Sequence, residues 1–404
     1  MSRAPALVLT PRTPWPLDDG GRVGLWQCLE AVARSRPTVL ATLELEADRR
    51  HAAPDAVREL GIEVVRVPHR FPPAWAAAWE GLTGRWPFTI ARFRNRQFDR
   101  TLRRLVAERQ PAFAFVNHLP LATYHDALDG TVTVLRQHNL EWRWLRRYAD
   151  SGIGFAAARY ARHQAGRLQR AEARLCEAMD LVLAIQDDEA REMRDMAPRA
   201  RVEVVPLGVD FPHRPARRPL QPPVVLLVGA YDRPPNRDGA RRFVVEGWPR
   251  VRARVPAARL RIVGRSIPDD LAALARARGA EPVGFVPDLS VEHANASVMV
   301  IPLWAGAGVR VKLVEALAAE LPVVSTPIGA EGLGLVPGRH HLEASTPIGL
   351  ADGVVRLLEQ PEQAAAMAAA ARTFGEARFG RDAVQRRLVA LCEEAAAGRA
   401  KASR

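Results

Sequence analysis

Short runs of aliphatic and β-branched residues recur along the chain, each followed by a stretch with helical spacing of apolar positions. In the first half they are Leu7–Thr10, Thr38–Thr42, Glu63–Val67, Phe113–Asn117, Thr131–Arg136, Leu181–Ala184 and Glu203–Pro206. In the second half they are Val224–Gly229, Arg259–Val263, Pro282–Phe285, Val298–Pro302 and Pro322–Thr326. Continuous apolar strands that alternate with helices predict parallel sheets covered on both faces. The Pro-rich stretch from Pro212 to Pro223 breaks the rhythm. It is too stiff and too poor in core residues for a sheet, so it marks a domain boundary. The pattern predicts an α/β protein of two doubly wound, Rossmann-like domains, 1–210 and 211–378, facing each other across a cleft. A last helix, Arg381 to Ala397, sits in a closing segment 379–404. Ligands of such sheets bind beyond the carboxyl ends of the strands, so the loops there are where chemistry is expected.

Composition narrows the class only a little. With 404 residues and a hydrophobic fraction of 48%, the chain can build two large cores. Cys28, Cys176 and Cys392 lie far apart, without metal-ligand spacing, and read as reduced structural thiols of a cytoplasmic protein. The segment Ala4–Thr10 is too short for a signal core and reads as the first strand. No apolar run reaches the roughly eighteen residues a membrane span needs. The net charge of +13 suits polyanions: nucleotides, phospholipid surfaces or nucleic acid. No recognised nucleic-acid-binding motif accompanies it, and charge alone does not choose among the rest.

The distribution of that charge says more. Of 58 basic residues only two are lysines: Lys401, near the end, and Lys312, inside Gly306-Ala307-Gly308-Val309-Arg310-Val311-Lys312-Leu313-Val314-Glu315. A compact ammonium where the chain otherwise uses Arg points to a site that wants a point charge on a flexible stem. A strand precedes the glycines and a helix, Val309 to Ala319, follows them, the setting in which α/β proteins hold phosphate. Arg310 and Lys312 in that helix's first turn oppose its dipole, a cost of roughly 0.3–1 kcal/mol each that a bound anion would reverse. The blander readings are that Lys312 is a chance survivor and that Glu315, three residues on, is a mere surface partner for it. After the first strand, Gly20-Gly21 opens a helix expected near Val23. A Gly-Gly pair there exposes backbone N–H groups to a ligand, or is simply a turn.

With these segments in view, the chain resembles the GT-B-fold glycosyltransferases of family 4, the retaining group that uses nucleotide-diphosphate sugars. The resemblance spans nearly the whole chain. It is best over Pro16-Leu17-Asp18-Asp19-Gly20-Gly21-Arg22, Val205-Pro206-Leu207-Gly208-Val209-Asp210, Leu260–Arg265, Gly306–Ser325 and Thr326-Pro327-Ile328-Gly329-Ala330-Glu331-Gly332. It implies that Gly20 and Gly21 face donor phosphates, that Gly308, Arg310 and Lys312 hold the diphosphate, and that Glu315 binds the ribose. It also implies that Gly229, Arg265, Phe285 and Val286 lie around the nucleotide. His118, after the strand Phe113–Asn117, would contact the donor sugar, or else serve as a capping or core histidine. His138, Asn139 and Glu141 would line the acceptor side. Two departures stand out: Ala307 occupies the place where many relatives carry the first of two glutamates, and the loop Gly229–Asp238 has arginines but no lysine.

The implied reaction is sugar transfer from an NDP-sugar to a hydroxyl of a glycan, lipid-linked sugar or small molecule, with retention. His118, Lys312 and Arg310 are its catalytic candidates. No metal or other cofactor is expected, because an Arg/Lys clamp suffices for the diphosphate. A nucleotide-sugar epimerase, or a binding protein impaired by the loss at Ala307, stays open. Arginines interleaved with aromatics at Arg85–Phe98 and Trp142–Arg174 would suit an anionic membrane surface on the inner face of the cell membrane, or be ordinary solvated helix faces.

Overall fold

The computed structural model describes residues 3–17, 20–150, 154–213, 219–305 and 310–402. The chain forms two compact units, Met1–Pro206 with Val384–Arg404, and Leu207–Ala383. The expected boundary inside the Pro-rich stretch is thus displaced. The chain changes unit at Pro206, and the proline-rich residues begin the second unit. The last helix, Arg381–Ala402, is longer than its sequence pattern suggests and is built into the first unit from Val384 onward.

The first unit holds a seven-stranded parallel sheet: β1 (Ala6–Thr10), β2 (Thr38–Glu44), β3 (Glu63–Pro68), β4 (Phe113–Asn117), β5 (Val132–Arg136), β6 (Leu181–Ala184) and β7 (Val202–Val204). Its order is β3-β2-β1-β4-β5-β6-β7. The second unit holds β8 (Val224–Val228), β9 (Arg259–Val263), β10 (Ala280–Gly284), β11 (Val298–Ile301), β12 (Val323–Ser325) and the two-residue β13 (Leu342–Glu343), in the order β10-β9-β8-β11-β12-β13. Every pairing is parallel. Twelve of these strands coincide with the apolar runs. β13 is too short to leave a pattern.

The central strands are apolar because both faces are covered. On the first sheet, one face packs under Leu102, Leu168 and Leu175. The other packs under Leu29 of the first helix, Gly20–Ser35, and Leu388, Leu391 and Cys392 of the last. All three cysteines are buried and free. In each sheet the order reverses once, between β1 and β4 and between β8 and β11. Loops at such a switch point diverge and leave a crevice at the carboxyl end of the sheet.

Three aromatic members of the segments read as membrane-facing are interior residues. Trp86, Phe98 and Trp142 are buried and fill the first unit's core, Phe98 and Trp142 from the inner faces of their helices and Trp86 from the bend that precedes the short helix Phe88–Ala91.

Candidate active site

In the second unit the carboxyl ends of β8, β9 and β10 bring together Gly229, Gly264, Arg265, Phe285 and Val286. Gly264 has φ +139°, and a Cβ there would lie 1.7 Å from the Gly229 carbonyl oxygen. Only glycine lets the two strand ends approach so closely. Gly229 in turn lies against Asn236, whose Cβ would be 3.2 Å from an added side-chain carbon. Arg265 is half-exposed, 3.6 Å from Asp232. Phe285 is 73% exposed, whereas Val286 packs on the core beneath it.

Lys312 lies at the head of the helix Val311–Ala318, which follows β11 at the switch point. The helix starts two residues later than its spacing suggests. Arg310 is therefore its N-cap residue and not part of its first turn. The Lys312 amine donates to the Val228 carbonyl at 2.9 Å and to Asn236 Oδ1 at 3.0 Å. An ammonium has three donors, so one remains for a ligand. Burial, then the neighbouring Arg310 charge, lowers the Lys312 pKa to about 7. Arg310 is itself buried and donates through Nε to the Ile328 carbonyl at 3.1 Å. An anion here would meet two cations already desolvated by the fold, which makes its Coulomb attraction larger than at the surface.

Glu315 does not pair with Lys312, because the lysine turns toward β8 and Asn236. Among the described residues the Glu315 carboxylate has no hydrogen-bond partner, and burial raises its pKa. An unpartnered, half-buried carboxylate is an acceptor in wait for hydroxyl donors. Gly308 and Ala307, both singled out from the sequence, lie outside the described residues.

In the first unit, the helix after β1 starts at Gly20 and not near Val23, so Gly20 and Gly21 form its first turn, where amides are free of intrahelical partners. Arg22, next to them, forms a buried ion pair with Asp48 at 2.7 Å. Beyond β4, His118 has φ +117°, a conformation costly for a side chain with Cβ. Its Nδ1 is buried without a hydrogen-bond partner among the described residues, and its Nε2 lies 3.4 Å from Glu141 Oε1. The His138 ring, beyond β5, is centred 5.8 Å from that of His118. Burial, then His118 and Arg136, pushes the His138 pKa well down, so it stays neutral. Its Nε2 donates to Asn117 Oδ1 at 2.6 Å. Asn139 contributes its carbonyl to Gln137 Nε2 at 2.9 Å. His118, His138 and Glu141 thus form one cluster rather than two separate sites.

The sequence reading missed two residues that order these groups. Asn236 steers Lys312 and is anchored by its Nδ2 to the Ala230 carbonyl at 3.0 Å. Its signal was an amide placed at the start of a helix opened by Pro234-Pro235. Glu172 is fully buried and accepts from Gln137 Nε2 and from the Glu141 and Trp142 amides. It caps the helix Glu141–Ala149 from outside, since Leu140 supplies no side-chain cap. Nothing local in the sequence signals that role. Among the described residues, no group of three or more His, Cys, Asp or Glu side chains is placed to hold a metal.

The two switch-point crevices, each built on a parallel sheet, define the GT-B class of α/β proteins. Residues 222–360 match the family model of glycosyl transferases group 1. Solved structures agree in fold. Sucrose-phosphate synthase from Thermosynechococcus elongatus superposes with a TM-score of 0.68 at 17% identity, over 98% of this chain and 100% of that one. HepE from Anabaena, solved in complex with UDP, gives 0.67 at 12% identity, over 98% and 100%. WaaG, a glycosyltransferase involved in lipopolysaccharide biosynthesis, gives 0.61 at 14%, over 95% and 98%. No curated protein sequence matches the chain.

Proposed function

We propose that the protein transfers a sugar from a nucleotide-diphosphate sugar to an acceptor hydroxyl with retention of configuration, in glycan, polysaccharide or glycolipid synthesis. The observation that carries this reading is Lys312. It is held by Val228 and Asn236 with one donor unspent, beside Arg310, at a switch-point helix in a group 1 glycosyltransferase domain. Two cations there stabilise the diphosphate as the bond from the anomeric carbon to phosphate breaks. The acceptor oxygen bonds to that carbon on the same face, and its proton passes to a phosphate oxygen. Glu315 takes the ribose hydroxyls. Gly229, Arg265, Phe285 and Val286 bound the nucleotide, and the amides of Gly20 and Gly21 serve the phosphates. His118 meets the sugar, with His138, Asn139 and Glu141 toward the acceptor. Most of the rate enhancement then comes from positioning and charge stabilisation.

The test is incubation of the protein with a panel of NDP-sugars, with and without a chelator. Slow release of NDP that survives the chelator is the expected result. Epimerised donor would replace the proposal with the epimerase reading, and binding without turnover would replace it with a binding protein.

A further inference from the structure

Six aromatic rings are strongly exposed among the described residues, and five of them, Trp75, Trp79, Trp144, Tyr148 and Phe155, belong to three helices of the first unit. Trp75 and Trp79 are 76% and 66% exposed, and with Leu82 they occupy positions i, i+4 and i+7 of the helix Ala74–Thr83, one continuous stripe. The opposite side of that helix is made of small residues, Ala77 and Gly81, which are buried. The helix is therefore inverted: its largest apolar groups point to solvent. It is also fixed in place. Tyr160 Oη donates to the Ala78 carbonyl, Gln164 to that of Gly81, and Arg167 to those of Gly81 and Gly84. These contacts advance in the same direction along both helices and tie the C-terminal half of Ala74–Thr83 to Phe155–Glu177. Phe155, which opens the longer helix, is 82% exposed.

The segments that carry these rings are basic, with Arg143 answered by the carboxylates Asp188, Glu189 and Glu192 of the helix Asp187–Met196. Residues 74–85 and 141–170 contain eight arginines against three carboxylates, Glu80, Glu141 and Asp150. Arg85, Arg146 and Arg159 are exposed. Trp144 and Tyr148 stack in parallel on the neighbouring helix, Glu141–Ala149, which Asp150 ties to Arg162. Indole rings on a convex stripe suit the headgroup layer, where an apolar body and a polar N–H are both accommodated. Guanidinium groups beside them match lipid phosphates. No described helix is long and apolar enough to cross a bilayer, so the contact is interfacial.

We propose that the ridge Trp75-Trp79-Leu82 with Phe155 docks the protein on an anionic lipid bilayer. The proposal stands apart from the transfer chemistry, and its test needs no donor. The full chain is spun with sucrose-loaded vesicles of phosphatidylcholine alone or with a third phosphatidylglycerol. The wild type should sediment about tenfold more with the anionic vesicles, and W75S/W79S should lose that binding while keeping its unfolding temperature. Brominated lipid should quench the wild type's tryptophan fluorescence, which decides the matter if the double variant fails to fold. Absence of sedimentation and quenching would overturn the proposal. So would equal sedimentation of a folded W75S/W79S, or a wild-type dimer in solution that W75S/W79S dissociates.

Discussion

At the scale of single residues, Lys312 is the most exposed to test. Replacement by Ala should weaken NDP-sugar binding more than about tenfold, the worth of roughly 1.4 kcal/mol, with the fold intact. Equal affinity in a titration would remove Lys312 from the site. Its pKa near 7 fixes the sign of a second effect. A bound diphosphate raises that pKa, so binding takes up a proton. Affinity should fall as pH rises from about 7 toward 9, and calorimetric heats should depend on the buffer's ionisation enthalpy. An affinity flat across that range would contradict the assignment. In the free protein the folded lysine releases its proton below the unfolded value of about 10.4. Between those limits the unfolded state binds more protons, so this group favours folding increasingly as pH rises. Gly264→Ala belongs to the same scale, because no rotamer relieves a backbone oxygen 1.7 Å from a new Cβ. That variant should destabilise the second unit by more than about 2 kcal/mol in denaturant unfolding.

Among elements, the helix Glu141–Ala149 depends on a residue of another helix. Burial and the neighbouring Glu141 raise the Glu172 pKa well above the carboxylate range, so the folded state holds its proton where the unfolded chain has lost it. Stability from this group is complete below the unfolded value of about 4.3 and is lost as pH rises toward the folded value. Glu172→Gln keeps an oxygen for the two amides and removes the titration. Its stability relative to wild type should therefore improve from pH 5 to pH 8, whereas Glu172→Leu should lose about 1–3 kcal/mol at either pH by orphaning the amides. Parallel pH profiles for wild type and Glu172→Gln would show that the carboxyl does not titrate in this range. The element pattern itself was legible. Runs such as Leu7–Thr10 and Val298–Pro302 are apolar throughout because helices cover both faces. β13 was not legible, since two residues carry no period, and Glu172 was not, since its partners lie about 30 residues away.

For the whole molecule, the last helix decides the stability of a unit whose strands were made two hundred residues earlier. Leu388 and Leu391 lie in the same core as Val8 and Leu29. Arg36 binds Glu393, and Arg201 binds Glu394 at 2.8 Å. Leu391→Ala should cost the first unit about 2–5 kcal/mol while leaving the unfolding of the second unit in place. A loss confined to the second unit, read by hydrogen exchange, would refute that assignment. The charge of +13 acts at this scale too, by steering anions toward the surface as a whole, but it selects no site.

Much of this was written in the order of residues. Apolar runs specify parallel strands, while glycines before a helix and a rare lysine among arginines point to the place proposed here for an anion. Local chemistry suffices for these, because propensity and pattern act over a few residues. The structure alone decided that Lys312 leans on Asn236 and not on Glu315, that His118 and Glu141 meet, and that Trp86 is interior while Trp75 and Trp79 are not. Each of those outcomes depends on which distant surfaces compete for burial, and such competition is resolved only when the helices and sheets pack.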